Sequence, residues 1–332
     1  MIDIPFSNGN THQLKNKWEE LTADEFKQEL GYIAKFMSGD ITLSQLRLMT
    51  FLLISGEKFS LHPKHNIADR QAENILRIAH QMTFMMRIDY ENSKSFGKLK
   101  KEIREKLERY LPEELEETPE IRWAAKSAKS TVPDIVFAKN LIPVIGRRRH
   151  IFKGYTFDME DNILTTSLTT SQFINAQMVA LEIQETGKES LLNLLVAILY
   201  SGKSKHYSTL EAGQVAKTLG WLDLETKNAI FINFNAIQTF LTTRTKYSIL
   251  FNAPVADHVE AKPKHNLGLG TVAHSLIKSG YADIDNSNLL KFFEIMYSDL
   301  VNSVVSLHKQ GNAIDKIAEL TGLTISKINQ II

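Results

Sequence analysis

Residues 169–200 of this chain read TTSQFINAQMVALEIQETGKESLLNLLVAILY and decide the fold class that the sequence predicts. Thr169 and Gln172 have the spacing of a capping box, in which two side chains satisfy backbone groups at the start of a helix. The apolar residues that follow repeat at helical spacing on one side: Phe173, Ala176 and Ala180. Between residues 191 and 199 apolar side chains are so dense that a second, fully buried helix is expected.

The same periodicity extends over most of the chain. Residues 22–25 offer another capping box, and an apolar stripe runs through residues 26–37 after it. No proline lies between Pro143 and Pro254, and proline is the residue that most strongly interrupts helices. We therefore predict a mostly α protein with a multi-helix, bundle-like body.

The first half of the chain predicts two further helices, over residues 69–88 and 97–117. The first has apolar residues at helical spacing, whereas the second is mostly charged and is expected to be exposed. The first also contains a group of methionines with one phenylalanine: Met82, Phe84, Met85 and Met86. Such a group forms part of a core, or it offers a surface to apolar segments of a partner.

Residues 131–157 interrupt the helical pattern. Pro133 and Pro143 fall within apolar runs there, and a proline inside a helix removes a hydrogen bond and clashes with the preceding turn. These runs suit extended segments, and the prolines favour the edge of any sheet that forms. We therefore predict a small extended or β segment near 131–157 and place the main domain boundary in it.

This interruption divides the chain into segments. The arm at the start is predicted to be loose because its residues are polar and include Pro5 and Gly9. The predicted segments are, in order, a loose N-terminal arm (1–17), an N-terminal helical domain (18–130), an extended connecting segment (131–157), a C-terminal helical domain (158–309) and a helical hairpin that resembles a helix-turn-helix (310–332).

The composition bounds the classes of protein to which the chain can belong. An apolar fraction of 43% is enough for a core, and 39 basic residues balance 38 acidic ones, which argues against a strongly basic nucleic-acid coat. The absence of cysteine excludes disulfides, thiolate metal sites and cysteine nucleophiles. The first residues lack the order of a signal peptide, and no apolar run approaches the length of about 18 residues that a membrane helix needs. We therefore expect an intracellular protein without a membrane segment.

The sequence shows no motif that is specific for catalysis or cofactor binding. His62 and His65 have a spacing that metal ligands use, but no further ligand lies nearby, so a solvated loop is expected. Residues 268–273 resemble a dinucleotide fingerprint, but the residues before them do not suit the strand that this motif requires. We predict no enzymatic activity, no metal and no cofactor.

The most concentrated basic cluster consists of Arg147, Arg148 and Arg149, followed by His150. Several neighbouring arginines can bind the phosphate groups of a nucleic acid, and such binding depends on the salt concentration. Alternatively, the cluster is a solvated connection or pairs with an acidic surface such as residues 113–117. The sequence leaves both interpretations open.

Residues 314–328 resemble a helix-turn-helix. Ala318 is small where two helices would cross, and Gly322 suits the turn. A shared core is expected from four residues: Ile317, Leu323, Ile328 and Ile331. The second helix would expose side chains that suit bases or phosphates: Ser326, Lys327, Asn329 and Gln330. A helical hairpin that mediates assembly fits the same residues.

Five segments together resemble a known group of proteins. They are Lys17–Phe26, Leu168–Ala176, Leu191–Tyr200, Ser279–Asp283 and Leu289–Leu300. They are similar to segments of uncharacterised helical proteins that are encoded in tail-gene modules of phages and prophages of Bacteroidetes-type bacteria. The similar segments are mostly structural, so the resemblance supplies no functional residues.

This resemblance implies a role in phage tail assembly or in the virion. The protein would act through contacts with other tail or virion proteins or with copies of itself, in the cytoplasm of the bacterial host or in the particle. One such role is that of a tail assembly chaperone, which keeps a tape-measure or tube protein soluble. The alternative function is DNA binding through the C-terminal hairpin and Arg147–Arg149.

Overall fold

A computed structural model shows which of these elements form. It describes the following residues: 2–5, 11–55, 69–90, 99–110, 114–115, 121–122, 128–147, 150–201, 207–251, 269–278, 281 and 283–332. The chain divides into two compact units, an N-terminal unit (Met1–Val136) and a C-terminal unit (Phe137–Ile332). Helices predominate, and the described strands pair in two-stranded antiparallel sheets. The predicted mostly α fold with a small β component is therefore confirmed.

The N-terminal unit combines helices with two pairs of strands. Its elements are, in chain order, β1 (Ile2–Pro5), β2 (Thr11–Leu14), α1 (Ala23–Met37), α2 (Leu43–Ser55), α3 (Asp69–Ala79), β3 (Met86–Tyr90), α4 (Lys101–Arg109) and β4 (Ala128–Pro133). Strand β1 pairs with β2, and β3 pairs with β4. Helix α2 packs between α1 and α3, and α4 packs on β3.

The start of α1 is fixed by a cap and by an aromatic ring. Thr22 and Glu25 form the predicted capping box: the Thr22 N–H donates to Glu25 Oε2 at 2.7 Å, and the Glu25 N–H donates to Thr22 Oγ1 at 3.3 Å. The buried Trp18 ring packs edge-on against Phe26 and Phe84. Its indole N–H donates to the Asp134 carbonyl oxygen at 2.9 Å, so Trp18 joins α1 to the end of β4.

The prediction of a single helix over residues 69–88 is wrong. Helix α3 ends at Ala79, and the chain turns into β3, whose Met86 pairs with Pro133 of β4. Apolar spacing does not by itself separate a short buried strand from a helix, and the pairing with β4 decides the structure here. The methionine group is at most 8% exposed, so it is core and not a partner surface: Met82, Phe84, Met85 and Met86.

The prediction of a loose arm over residues 1–17 is also wrong for residues 2–5 and 11–14, which the structure describes as strands. Strands β1 and β2 pair antiparallel from Ile2↔Leu14 to Pro5↔Thr11. Ile2 and Ile4 alternate with a polar residue, which is the period of a strand. This alternation outweighs the proline and the glycine that favoured a loop.

The C-terminal unit is a helical body that begins with two β-hairpins. Its elements are, in chain order, β5 (Val144–Arg147), β6 (His150–Lys153), β7 (Phe157–Glu160), β8 (Ile163–Thr166), α5 (Thr170–Thr186), α6 (Glu189–Leu199), α7 (Thr209–Thr218), α8 (Leu224–Arg244), α9 (Leu269–Lys278), α10 (Leu289–Lys309), α11 (Ile314–Thr321) and α12 (Ile325–Ile331). The β segment predicted near 131–157 is thus confirmed, and β8 extends it to Thr166. None of the described helices combines the length and the apolar character that crossing a membrane requires.

Helix α6 lies at the centre of this unit. It packs against α5, α7 and α8, and its residues 195–199 are at most 2% exposed. The predicted helix is confirmed, and it is fully buried over its second half, whereas residues 191, 193 and 194 are partly exposed. The helix before it, α5, starts with the predicted Thr169–Gln172 capping box and ends at Gly187. Gly187 has a φ of 65°, a left-handed conformation that glycine adopts without strain at a helix end.

One carboxyl group is buried between α1 and α2. Glu29 of α1 has no exposed surface, and its Oε1 lies 2.8 Å from the hydroxyl oxygen of Thr50 in α2. That hydroxyl also lies 3.0 Å from the Leu46 carbonyl oxygen, and its single proton can be donated to only one of the two. Both contacts are hydrogen bonds when Glu29 is protonated and donates to Thr50. Burial raises the pKa of Glu29 to about 7, although the hydrogen bond from Thr50 opposes this rise.

The N-terminal unit should lose stability as the pH rises. The pKa of Glu29 moves from its ordinary 4.5 to about 7 on folding, so the protonated carboxyl stabilises the fold fully below pH 4.5 and this contribution is lost as the pH rises through 7. The full change is on the order of 3 kcal/mol. Glu29→Gln should remove most of this dependence and should stabilise the unit at about pH 8. Hydrogen exchange of α1 amides in urea, at about pH 5 and about pH 8, measures the effect.

Glu73→Gln is the matched control, because Glu73 is an exposed carboxyl on α3 of the same unit. The control should keep the pH dependence of the unchanged protein. If Glu29→Gln kept it as well, the buried carboxyl would not be its source.

Candidate functional site

The predicted C-terminal hairpin forms and is part of a three-helix arrangement. Helices α10, α11 and α12 pack on one another, and Gly322 makes the turn between α11 and α12 with a φ of 71°. Three of the four predicted core residues are buried: Ile317, Leu323 and Ile328. Ile331 packs against them, as do Val304 of α10 and Ile249 from the turn at Lys246–Leu250. The helix pair and its shared core are confirmed, and both belong to the C-terminal unit.

The outer face of α12 carries three of the four predicted contact residues. Ser326, Asn329 and Gln330 are exposed there. Lys327 points back to the body of the unit, where its Nζ donates to the Ser248 carbonyl oxygen at 3.3 Å. Partial burial lowers the pKa of Lys327. The exposed face of α12 therefore offers hydroxyl and amide groups without the cation that the sequence suggested.

The predicted arginine cluster begins at Arg147, the last residue of β5. Arg147 pairs with His150 of β6 across the hairpin, while Arg148 and Arg149 lie outside the described residues. Residues 135–157 contain five lysines and arginines and no acidic residue, so the sequence around the hairpin is uniformly basic. His62 and His65, the other predicted candidates for ligands, also lie outside the described residues.

The β5–β6 hairpin places apolar side chains on both of its faces. Ile145 is 4% exposed and points inward, whereas Val144 and Ile151 are 51% and 49% exposed. Gly146 of β5 pairs with Ile151, so Val144 and Ile151 lie on the same outward face, because side chains alternate along a strand. We call this face, defined by Val144, Ile151 and Lys153, the hairpin face.

A second exposed apolar feature adjoins the inner side of this hairpin. The Phe152 ring stacks on Trp221 with their centroids 6.4 Å apart and their planes 20° apart. Trp221 is nevertheless 46% exposed, and Leu224 at the start of α8 is 47% exposed. Exposed apolar side chains thus occur on β5, on β6 and at the start of α8, and others lie elsewhere on the unit, such as Ile163, Met178 and Leu210.

A network of charged groups, which the sequence did not predict, lies in the N-terminal unit. Arg47 of α2 is 1% exposed and pairs with Glu114, which also lies 3.8 Å from His80 Nδ1. A second nitrogen of Arg47 donates to the Arg109 carbonyl oxygen at 3.1 Å. The network thus joins α2 to Arg109 at the end of α4, to His80, which follows α3, and to Glu114, which follows α4.

Arg109 extends this network to the β3–β4 pair. It donates to the carbonyl oxygens of Phe84 and Met86 at 3.2 and 3.0 Å, and it pairs with Asp134 at 2.5 Å. These partners are main-chain oxygens at the start of β3 and a carboxylate at the end of β4. The charged groups therefore connect main-chain segments, and the part of the chain that the structure describes shows no group of three or more candidate metal ligands.

A second buried polar network holds the start of the C-terminal unit. Asn233 of α8 is 1% exposed, donates to the Lys139 carbonyl oxygen at 3.0 Å and accepts the Leu141 N–H at 2.8 Å. Asn140 donates to the Tyr155 carbonyl oxygen at 2.7 Å. The Asn140 N–H also donates to the Phe157 carbonyl oxygen of β7 at 2.8 Å. Together these bonds satisfy main-chain groups of a segment that forms no strand of the described sheets.

The chain matches no protein-family model, no curated protein and no solved structure. The resemblance to tail-gene proteins therefore stays a prediction that depends on the quoted sequence segments.

Asn233→Ala should destabilise the C-terminal unit by about 2–4 kcal/mol, because it leaves a buried N–H and a partly buried carbonyl oxygen without their partner. Asn228→Ala is the matched control, since Asn228 is an exposed residue of the same helix. Urea unfolding of the two variants measures the difference. Equal midpoints for both variants would show that Asn233 does not hold the extended segment.

Proposed function

We propose that the protein acts through protein–protein contacts as a phage tail assembly or virion structural protein. Its partners are other tail or virion proteins, or further copies of the chain. The resemblance to tail-gene proteins supports the setting, and the exposed apolar surface of the C-terminal unit supports the mode of action. We expect no enzymatic activity from the protein.

The hairpin face carries this proposal. Val144 and Ile151 are about half exposed on one face of a two-stranded sheet, and Ile145 on the opposite face is buried. Branched apolar side chains on an exposed strand favour association with another chain, and proteins normally cover or charge such edges. The face itself carries Lys153, and the charged residues of the stretch 135–157 are all basic, so a suitable partner combines an apolar segment with acidic residues.

Two roles are compatible with such a surface. A tail assembly chaperone would bind an apolar segment of a tape-measure or tube protein in the host cytoplasm and release it on assembly. A structural component would keep the contact in the finished particle. Both roles require the same hairpin face, so one set of variants tests the contact itself.

Val144→Ser combined with Ile151→Ser should weaken partner binding at least about 10-fold, because it removes two exposed apolar side chains from the centre of the contact. The full-length protein is expressed together with the products of the neighbouring tail genes, and tagged protein is recovered with bound partners. Light scattering of the protein alone shows whether a second copy is the partner.

Met37→Ser combined with Leu210→Ser is the matched control. Both residues are exposed apolar side chains outside the hairpin, at 57% and 73% exposure. This control should bind as the unchanged protein does. If no neighbouring gene product binds and the protein is monomeric, the proposal is wrong; if both double variants bind equally, the contact lies elsewhere.

A further inference from the structure

We propose that the hairpin face of one copy of the chain binds the β7–β8 hairpin of a second copy. This inference rests on the proposed function, because it takes the hairpin face as the contact and names the surface that covers it. That surface consists of Glu160 and Ile163, which pair across the β7–β8 turn, and of Asp158 and Thr165, which form the next pair on the same side. We call it the acidic face.

The two faces carry opposite charges beside exposed apolar side chains. Ile163 is 66% exposed next to the exposed Glu160, and residues 154–170 contain three acidic residues and no basic one. On the hairpin face, Lys153 adjoins two half-exposed apolar side chains, and residues 135–157 contain five lysines and arginines and no acidic residue. An apolar and acidic surface is the complement that the hairpin face requires, whereas two hairpin faces would repel each other.

The acidic face also matches the hairpin face in size and form. Each of the four strands is four residues long, so each hairpin presents a short two-stranded sheet. The β7–β8 turn consists of Asp161 and Asn162, which are both left-handed (φ 48° and 64°), as in the tight two-residue turns of hairpins. At the base of β7, the Phe157 carbonyl oxygen accepts the Asn140 N–H at 2.8 Å, which holds the hairpin to the unit. Two such sheets can pack face to face, as the sheets of a β-sandwich do.

Both faces are open in a single chain, so a contact between them joins two copies. Val144, Ile151 and Ile163 are between 49% and 66% exposed, and they would be buried if the two faces covered each other within one chain. Because the faces differ, each copy binds one neighbour through its hairpin face and another through its acidic face. Such a heterologous contact closes into a ring if the rotation between copies permits it, and otherwise it grows into a filament.

Mixing two variants of the full-length protein tests the proposal. Val144→Ser combined with Ile151→Ser removes the hairpin face, and Glu160→Lys combined with Ile163→Ser removes the acidic face. Sedimentation velocity should show self-association at least about 10-fold weaker for each variant alone than for the unchanged protein. An equal mixture of the two variants should form dimers and no larger assembly, because it retains one intact face of each kind.

Met178→Ser combined with Glu182→Lys is the matched control, because these residues form another exposed apolar and acidic pair, one turn apart on α5. The control should assemble as the unchanged protein does. The replaced side chains of all three variants are exposed, so circular dichroism should show the helix content of the unchanged protein. The proposal is overturned if the unchanged protein is monomeric, if the acidic-face variant still assembles, or if the control loses assembly to the same extent.

Failure of this inference can be told apart from failure of the proposed function. If the protein is monomeric, but a neighbouring tail-gene product binds it and is lost with Val144→Ser and Ile151→Ser, the contact between copies is wrong and the proposed function stands. If neither a second copy nor a tail-gene product binds, both are wrong.

Discussion

The burial of α6 is the constraint on which the C-terminal unit depends. Because the end of this helix is enclosed, the next residue, Tyr200, is fixed, and its hydroxyl donates to the Ile142 carbonyl oxygen at 2.5 Å. The Leu199 carbonyl oxygen accepts the Tyr155 N–H at 3.1 Å. A side chain at Gly154 would place its Cβ only 2.8 Å from the Tyr200 ring, so glycine is required there. The central helix thus holds both ends of the β5–β6 hairpin and orients its outward face.

Local signals in the sequence predicted the helices whose determinants lie within a few residues, such as the capped start of α5, the buried α6 and the α11–α12 pair. Contacts between distant residues could not be predicted in this way. Arg47 lies 67 residues from Glu114, and Asn233 lies 94 residues from Lys139. One signal was available: Arg47 falls on the buried stripe of α2, where a charged residue indicates a buried ion pair. The strand β3 was missed because its pairing partner, and not its own pattern, fixes it.

The two surfaces of the C-terminal unit differ in the interactions that they can make. The hairpin face is apolar and basic, so desolvation and attraction to acidic groups would drive its contacts. The outer face of α12 combines exposed hydroxyl and amide groups with the exposed Ile325 and Ile332, so hydrogen bonds and apolar contacts would together determine what it binds. Since the hairpin is held by α6 and α12 is held by α10 and α11, each surface has its own support, and variants in one need not disturb the other.

The N-terminal unit keeps ionisable groups in places where apolar residues would stabilise it at least as well. Replacing a buried ion pair with well-packed apolar residues is often neutral or stabilising by about 1–4 kcal/mol. We infer that the Arg47–Glu114 pair is kept for geometry. Its hydrogen bonds have direction, and the second bond from Arg47 to the Arg109 carbonyl oxygen fixes how the end of α4 lies on α2. Arg109 then contacts β3 and the end of β4 through its own bonds, so the two guanidiniums together connect α2, α4, β3 and β4.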